Sequence, residues 1–273
     1  MNFELAPVAT VAGKEFWDRI RSLWVLAIAL LFTVFALAIA YFGGAQQGAV
    51  GFRSIGFTIA SLVSLVIYLI PLIALLLGFD AIVGERERGS LDLLLSLPIT
   101  RVELLLGKYL GLAAALAFST LAGFGLVALV LARQLDLGGL GAYASFMLSS
   151  ILLGCAFLAI AVLLSVVASD RTRASGLAVA TWFVFVLLFD LLLLGVLVVG
   201  GGRIGGAALP YLLLLNPADV FRILNVHAIE DVGSAYGLAT VFPPELAHDG
   251  LLYAALLAWC VVPLAVAAWR FRR

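Results

Sequence analysis

The side chains that could ligate a soft metal or handle sulfur are few: Met1, Met147, Cys155, Cys260, His227 and His248. Such a route needs thiolate, thioether or imidazole ligands, and this inventory does not make a metal site. Cys155 and Cys260 each fall near the middle of a long apolar run. If those runs touch, two thiols at one depth could handle a sulfur species. If they do not, each is a small buried apolar residue, the usual role of a free cysteine and the favoured reading. His227 and His248 have no third ligand nearby in sequence and read as surface residues. Asp190 stands inside the apolar run FVLLFDLLLLG. A carboxyl at membrane depth is a functional candidate by default; it lines a path, pairs across a dimer, or makes a structural helix–helix hydrogen bond while protonated, and the sequence leaves these open. No nucleophile, base and orienting group occur together, so no catalytic residue is assigned.

The densest charge pattern lies elsewhere, in ERERGSLDLLLSLPITRVELLLGK, residues 85–108. Ser90 is placed to cap a helix, with Asp92 favourable in its first turn. Leu91, Leu94 and Leu95 share one helical face, and Pro98 ends that helix. Thr100 and Glu103 then form a capping box for the next helix, with Ile99 and Leu104 as its hydrophobic staple. The pattern predicts a short interfacial helix over 85–98, a sharp corner, and a new helix running into the apolar phase. Such a corner can transmit a push.

The elements that hold these residues follow from composition. Of 273 residues, 64% are hydrophobic and 12% charged, against about 45–50% and about 25% in a soluble domain. The chain is predicted to be all-α and polytopic, a single transmembrane domain with six membrane helices at 23–42, 57–79, 102–131, 144–168, 174–199 and 251–269. The third run is long for one crossing, so its first turns stand outside the hydrocarbon. Twelve of the 16 Lys and Arg residues fall before the first run, in alternate connectors, or at the C-terminus; Arg53, Arg133, Arg203 and Arg222 fall on the other side. The positive-inside rule therefore predicts both termini in the cytoplasm. Asp80 reads as merely interfacial. Residues 1–22 read as an interfacial segment with a short helix near its end, not as a cleavable signal. Residues 200–250 form an outer segment with a Gly-rich start; its apolar part, too short and broken to cross, lies on the membrane surface or re-enters it, leaving an acidic remainder exposed. Two cysteines exclude a disulfide scaffold, and a net charge of zero gives no sign of nucleic-acid binding.

Glu85, Arg86, Glu87, Arg88, Gly89, Ser90, Leu91 and Asp92, followed by Leu97-Pro98-Ile99-Thr100-Arg101 and Gly107-Lys108, resemble the signature of ABC-2 type transporter permeases. The resemblance covers nearly the whole chain. It implies the ABC-2, type V exporter-like fold, in the bacterial inner membrane. It implies that 85–98 is a coupling helix docking on a separate ATPase, with Asp170, Arg171 and Arg173 of the fourth connector as a second contact on that side. The chain has no G-x-x-x-x-G-K-[ST] sequence, hence no phosphate cradle of its own. ATP and Mg therefore belong to the partner, no cofactor is bound by this chain, and the resemblance implies a homodimer of the permease with two ATPase copies in the membrane lipid. Gly107-x-x-x-Gly111 allows close helix approach, between subunits or within one.

Within the family, LPYLLLLNPADVFRILN and GKEFWDRIRSLW are most similar to the permease of nitrous-oxide-reductase maturation (copper-processing) systems. That likeness implies a periplasmic copper-handling accessory protein, with Asn216, Pro217, Asp219, Phe221 and Arg222 as its contacts. ATP-driven export and force transfer to that partner in assembly of a copper–sulfur centre both remain open. The alternatives are an ABC-2 exporter of an unrelated lipid, drug or glycan and, in another class, a membrane enzyme or passive scaffold.

Overall fold

A computed structural model describes residues 4–42, 55–131, 137–199, 210–227 and 248–272, and all the regular structure among them is helical. Helix α1 is Leu5–Ile20, α2 Leu23–Phe42 and α3 Ile55–Gly78. Two short helices follow, α4 Val83–Glu87 and α5 Ser90–Leu95. Then come α6 Arg101–Leu131 and α7 Leu137–Val167. Helix α8, Arg171–Phe183, runs through a π-helical turn, Val184–Leu188, into α9, Phe189–Val199. Helix α10 is Pro217–His227 and α11 Asp249–Arg272.

Five helical stretches are long and apolar enough to cross a membrane: Ile59–Glu87, Arg101–Leu129, Gly141–Val167, Arg171–Val199 and Asp249–Arg272. The protein is a multi-pass membrane protein. The expected first span coincides with α2, in which the apolar stretch Ala27–Ile39 is shorter than those five.

Helix α7 is the hub of the bundle and packs on α3, α6, α10 and α11. Its Phe146 meets Phe124 of α6 at 5.3 Å and Phe221 of α10 at 6.2 Å between ring centroids. Buried hydroxyls on these helices satisfy themselves locally: Ser119, Thr120 and Ser150 each donate to the carbonyl four residues back.

Three expectations about elements change. Helix α1 is longer than the short helix expected near the end of 1–22. Its start has no side-chain cap of its own, but the Glu4 amide donates to Glu103 Oε1 at 2.7 Å. The Gly107/Gly111 pair seats α1 within the same chain. A Cβ at Gly107 would stand 2.6 Å from Val11 Cβ, and one at Gly111 2.6 Å from the Ala12 carbonyl oxygen. The fifth expected span is not a regular α-helix. Inside its π turn the Phe185 carbonyl accepts a hydrogen bond from Asn216 Nδ2 at 2.9 Å, so an outside donor takes up a carbonyl where the helical ladder is interrupted.

Candidate functional site

The connector between α3 and α6 is two helices rather than the single one expected over 85–98. Gly89 separates them with φ 70°, a left-handed turn that glycine adopts without strain. Helix α5 ends at Leu95, ahead of Pro98. Ser90 does not cap it. Gly89 holds the N-cap position, and the Ser90 hydroxyl turns back to donate to the Glu85 carboxylate. The α6 start matches its sequence pattern: the Thr100 amide donates to Glu103 Oε2 at 2.7 Å and the Glu103 amide to Thr100 Oγ1 at 3.2 Å. Leu104 is buried and Ile99 packs on the core.

The two short helices are wired to the bundle by charge. Lys108, only 4% exposed, donates to Glu15 Oε1 at 2.6 Å and Glu85 Oε1 at 3.0 Å. That one ammonium joins α1, α4 and α6. Ser165 of α7 accepts the Ile82 and Val83 amides at 2.9 and 3.0 Å, which caps the start of α4. Arg86 points to α7, donating to the carbonyls of Ala168 at 3.0 Å and Val166 at 3.4 Å. These are unpaired carbonyls at a helix C-terminus, where a cation is favourable. Arg101 donates to the Phe271 carbonyl at 3.1 Å and lies 5.7 Å from that ring's centroid, tying the start of α6 to the end of α11.

The fourth connector joins the same unit. The Arg171 amide donates to Glu87 Oε1 at 2.7 Å, and its guanidinium to Asp80 Oδ2 at 2.8 Å. Arg19 of α1 also approaches Asp80, at 3.8 Å. Asp80 is thus a junction of three elements, not merely interfacial. Asp170 caps α8 by accepting the Arg173 amide at 2.8 Å, and Arg173 pairs back with it at 3.3 Å. The Arg173 amide, with the Ser169 hydroxyl, holds the Asp170 carboxyl below the usual carboxylate range.

What remains outward on this unit is its tip: Glu87, Arg88, Gly89, Asp92 and Pro98, with Leu93 71% and Leu97 54% exposed. An apolar pair flanked by charges on an anchored corner is suited to docking and to passing on displacement. It has no arrangement for covalent chemistry. Sequence reasoning missed Glu15, Asp80 and Ser165 as members of this unit; it counted Leu93 and Lys108 within 85–108 without giving either a role.

The residues read as contacts of an outer partner are placed otherwise. Asn216, Pro217, Asp219 and Phe221 are buried and Arg222 is half-buried, because α10 packs into the bundle against α3, α7 and α11. Arg222 bridges Asp219 Oδ1 at 2.7 Å and Asp190 Oδ2 at 2.9 Å. Asn216 Nδ2 donates to Asp219 Oδ2 at 2.8 Å. Asp190 Oδ1 is buried without a hydrogen-bond partner among the described residues. Asn216 and Arg222, both held by Asp219, anchor α10 to the π turn and α9, while Phe221 packs on Phe146 of α7; the five residues do not form an exposed patch.

Cys155 and Cys260 stand on α7 and α11, which pack against each other, and the Tyr109 hydroxyl donates to the Cys155 carbonyl at 3.2 Å. Cys260 Sγ approaches the Leu152 carbonyl at 3.7 Å. Among the described residues no group of three or more His, Cys, Asp or Glu side chains is placed to hold a metal ion. His248 is exposed.

The family profile described as ABC-2 family transporter protein matches residues 9–273. Two curated relatives are similar in sequence over nearly their full lengths. The protein named probable ABC transporter permease protein NosY of Stutzerimonas stutzeri is 47% identical over 97% of this chain and 98% of its own. Its namesake in Pseudomonas aeruginosa is 48% identical over the same shares. A profile match over almost the whole chain, on an all-helical multi-pass bundle with an anchored connector, makes this chain a member of the ABC-2 family of transporter proteins.

Proposed function

We propose that the chain is the permease subunit of an ATP-driven transporter whose ATPase, with its ATP and Mg, docks on the α4–α5 tip. The observation that carries this reading is the contrast within the connector: Leu93 and Leu97 are exposed, while the unit bearing them is held to α1, α6, α7 and α8 by buried or charge-assisted bonds. A push on the tip reaches four helices at once.

In this reading α2 completes six spans, with both termini and the connector on the cytoplasmic side of a bacterial inner membrane. Two copies associate through α8 and α9. That stretch is the most exposed of the five, and Leu177, Phe183, Leu191, Leu192 and Val198 give it a broad apolar face. As the likeness of LPYLLLLNPADVFRILN and GKEFWDRIRSLW to permeases of nitrous-oxide-reductase maturation implies, the cycle serves the copper–sulfur centre of that enzyme, by substrate export or by moving a periplasmic partner. Force transfer outward is supported by α10. Its Asn216 and Arg222 bind the π turn and Asp190, so a shift of the fifth helix carries α10 with it.

The test is Leu93→Asp with Leu97→Asp. Both side chains are on the surface, so the bundle should insert and fold as before. The expected result is loss of ATPase co-purification. Recovery of the intact complex with unchanged ATP turnover would sink the docking assignment.

A further inference from the structure

We propose that the cleft between α5, the end of α7 and the end of α11 is a binding site for the headgroup of an anionic phospholipid. The cleft encloses about 360 Å³ and is lined by Arg86, Arg101 and Arg270 with Asp92 as the opposing charge, over Leu91, Val166 and Phe271. Its volume lies in the range of small-ligand pockets, roughly 300–1,000 Å³. Three guanidinium groups against one carboxylate leave it positive, and basic pockets between membrane helices select acidic headgroups.

Two of the three cations are pre-positioned. Arg86 is held by the carbonyls of Ala168 and Val166, and Arg101 by the carbonyl and ring of Phe271. A guanidinium carries five N–H donors in a fixed fork, so each retains donors for a phosphate after those bonds are made. Arg270 is exposed and makes no ion pair or hydrogen bond among the described residues.

A lipid is favoured over a soluble anion or an acidic protein segment by what leads into the cleft. On α11, Val262, Val266 and Trp269 are exposed at 59%, 44% and 55%. Their spacing places them on one helical stripe that continues to Arg270. An acyl chain lying along the two valines, past a tryptophan at the interface, brings its phosphate to the arginines. Tryptophan is the side chain enriched at that depth.

The test uses the intact complex with its ATPase, and native mass spectrometry as readout. Wild type is expected to retain phosphatidylglycerol in preference to phosphatidylcholine. Arg270→Gln, which breaks no internal bond, should lower that retention about fivefold, the effect of one basic residue at an anionic surface. Adding Arg101→Gln should lower it further. Phosphatidylglycerol–phosphatidylcholine vesicles should raise the thermal midpoint where millimolar inorganic phosphate does not. Equal retention in wild type and Arg270→Gln, or equal retention of the two lipids, would overturn the proposal. So would equal stabilisation by phosphate, which assigns the cleft to a soluble anion. Loss of the ATPase with lipid retention unchanged would overturn it in favour of an acidic protein segment.

Discussion

Two clusters in this bundle are built alike, each around one cation placed between two carboxylates. At the connector, Lys108 lies between Glu15 and Glu85, and Arg88 also approaches Glu85 at 3.7 Å. In the other half, Arg222 lies between Asp190 and Asp219. They differ in reach. The Lys108 cluster ties together three helices distant in sequence, and Ser90 adds a donor to Glu85. In the Arg222 cluster one contact is within α10 itself, between residues three apart, and Asp190 Oδ1 has no donor among the described residues. The first is a closed joint and the second an incompletely filled one. A device that receives force needs rigidity where the force enters and some slack where the motion leaves.

Removing Lys108 should do the greatest damage. Lys108→Met leaves two carboxylates facing each other near the bundle interior. Breaking a buried pair by losing one partner costs about 3–5 kcal/mol. Thermal or denaturant unfolding of the purified complex would measure it. Glu15→Gln and Glu85→Gln added to that variant should recover most of the loss. If Lys108→Met unfolds like wild type, the connector cluster is no joint.

The next effect is steric. Gly111→Val drives methyl groups at the Ala12 carbonyl and Glu15. Overpacking of this kind costs about 1–3 kcal/mol. It should lift α1 from α6 and expose Val8 to cysteine-labelling reagents when that residue is replaced by Cys. An unlabelled Val8→Cys in the Gly111→Val background would show that α1 is held without the close approach.

Arg222→Gln should cost less, about 1–2 kcal/mol, the upper range for polar contacts between membrane helices. Asp190→Asn alone should be close to neutral, since an amide oxygen can still accept from Arg222 and Arg222 keeps its pair with Asp219. In combination it should relieve Arg222→Gln. An Arg222→Gln penalty equal to that of Lys108→Met would erase the distinction between closed and open joints.

The smallest effect is one of pH. Asp170 has its folded pKa lowered from an ordinary value of 3.8. Its contribution is present above that ordinary value and is lost as pH falls through the lowered one. Hydrogen exchange at the first turn of α8 should accelerate below that range, and Asp170→Asn should remove the acid dependence. An acid response unchanged in Asp170→Asn would place its origin in another group.

Local chemistry was partly legible in the sequence, with the cap at Thr100 found and the one expected at Ser90 absent, and contacts across the chain were not. Thr100 and Glu103 are three residues apart, so their reciprocal bonds follow from spacing alone. Glu15 and Lys108 are separated by 93 residues, and each reads singly as an ordinary surface charge. A lysine just inside an apolar run was the available signal for that joint. The 216–222 stretch misled for a related reason. Its polar residues suit a surface until Asp190 and the Phe185 carbonyl, hidden in an apolar span, are known to face them. The π turn has no sequence signature; it accompanies the Asn216 bond. Gly107 and Gly111 announced a close approach without saying to which helix, and the nearest atoms belong to α1.

Glu103 receives amides from two helix starts: Thr100 at the beginning of α6 and Glu4 before α1. During synthesis the amino end emerges long before residue 103 exists. The first turn of α1 therefore lacks this acceptor until the third predicted span is being made. The helix that comes first in the chain is completed late, which couples its seating to the insertion of the segment that later carries Lys108.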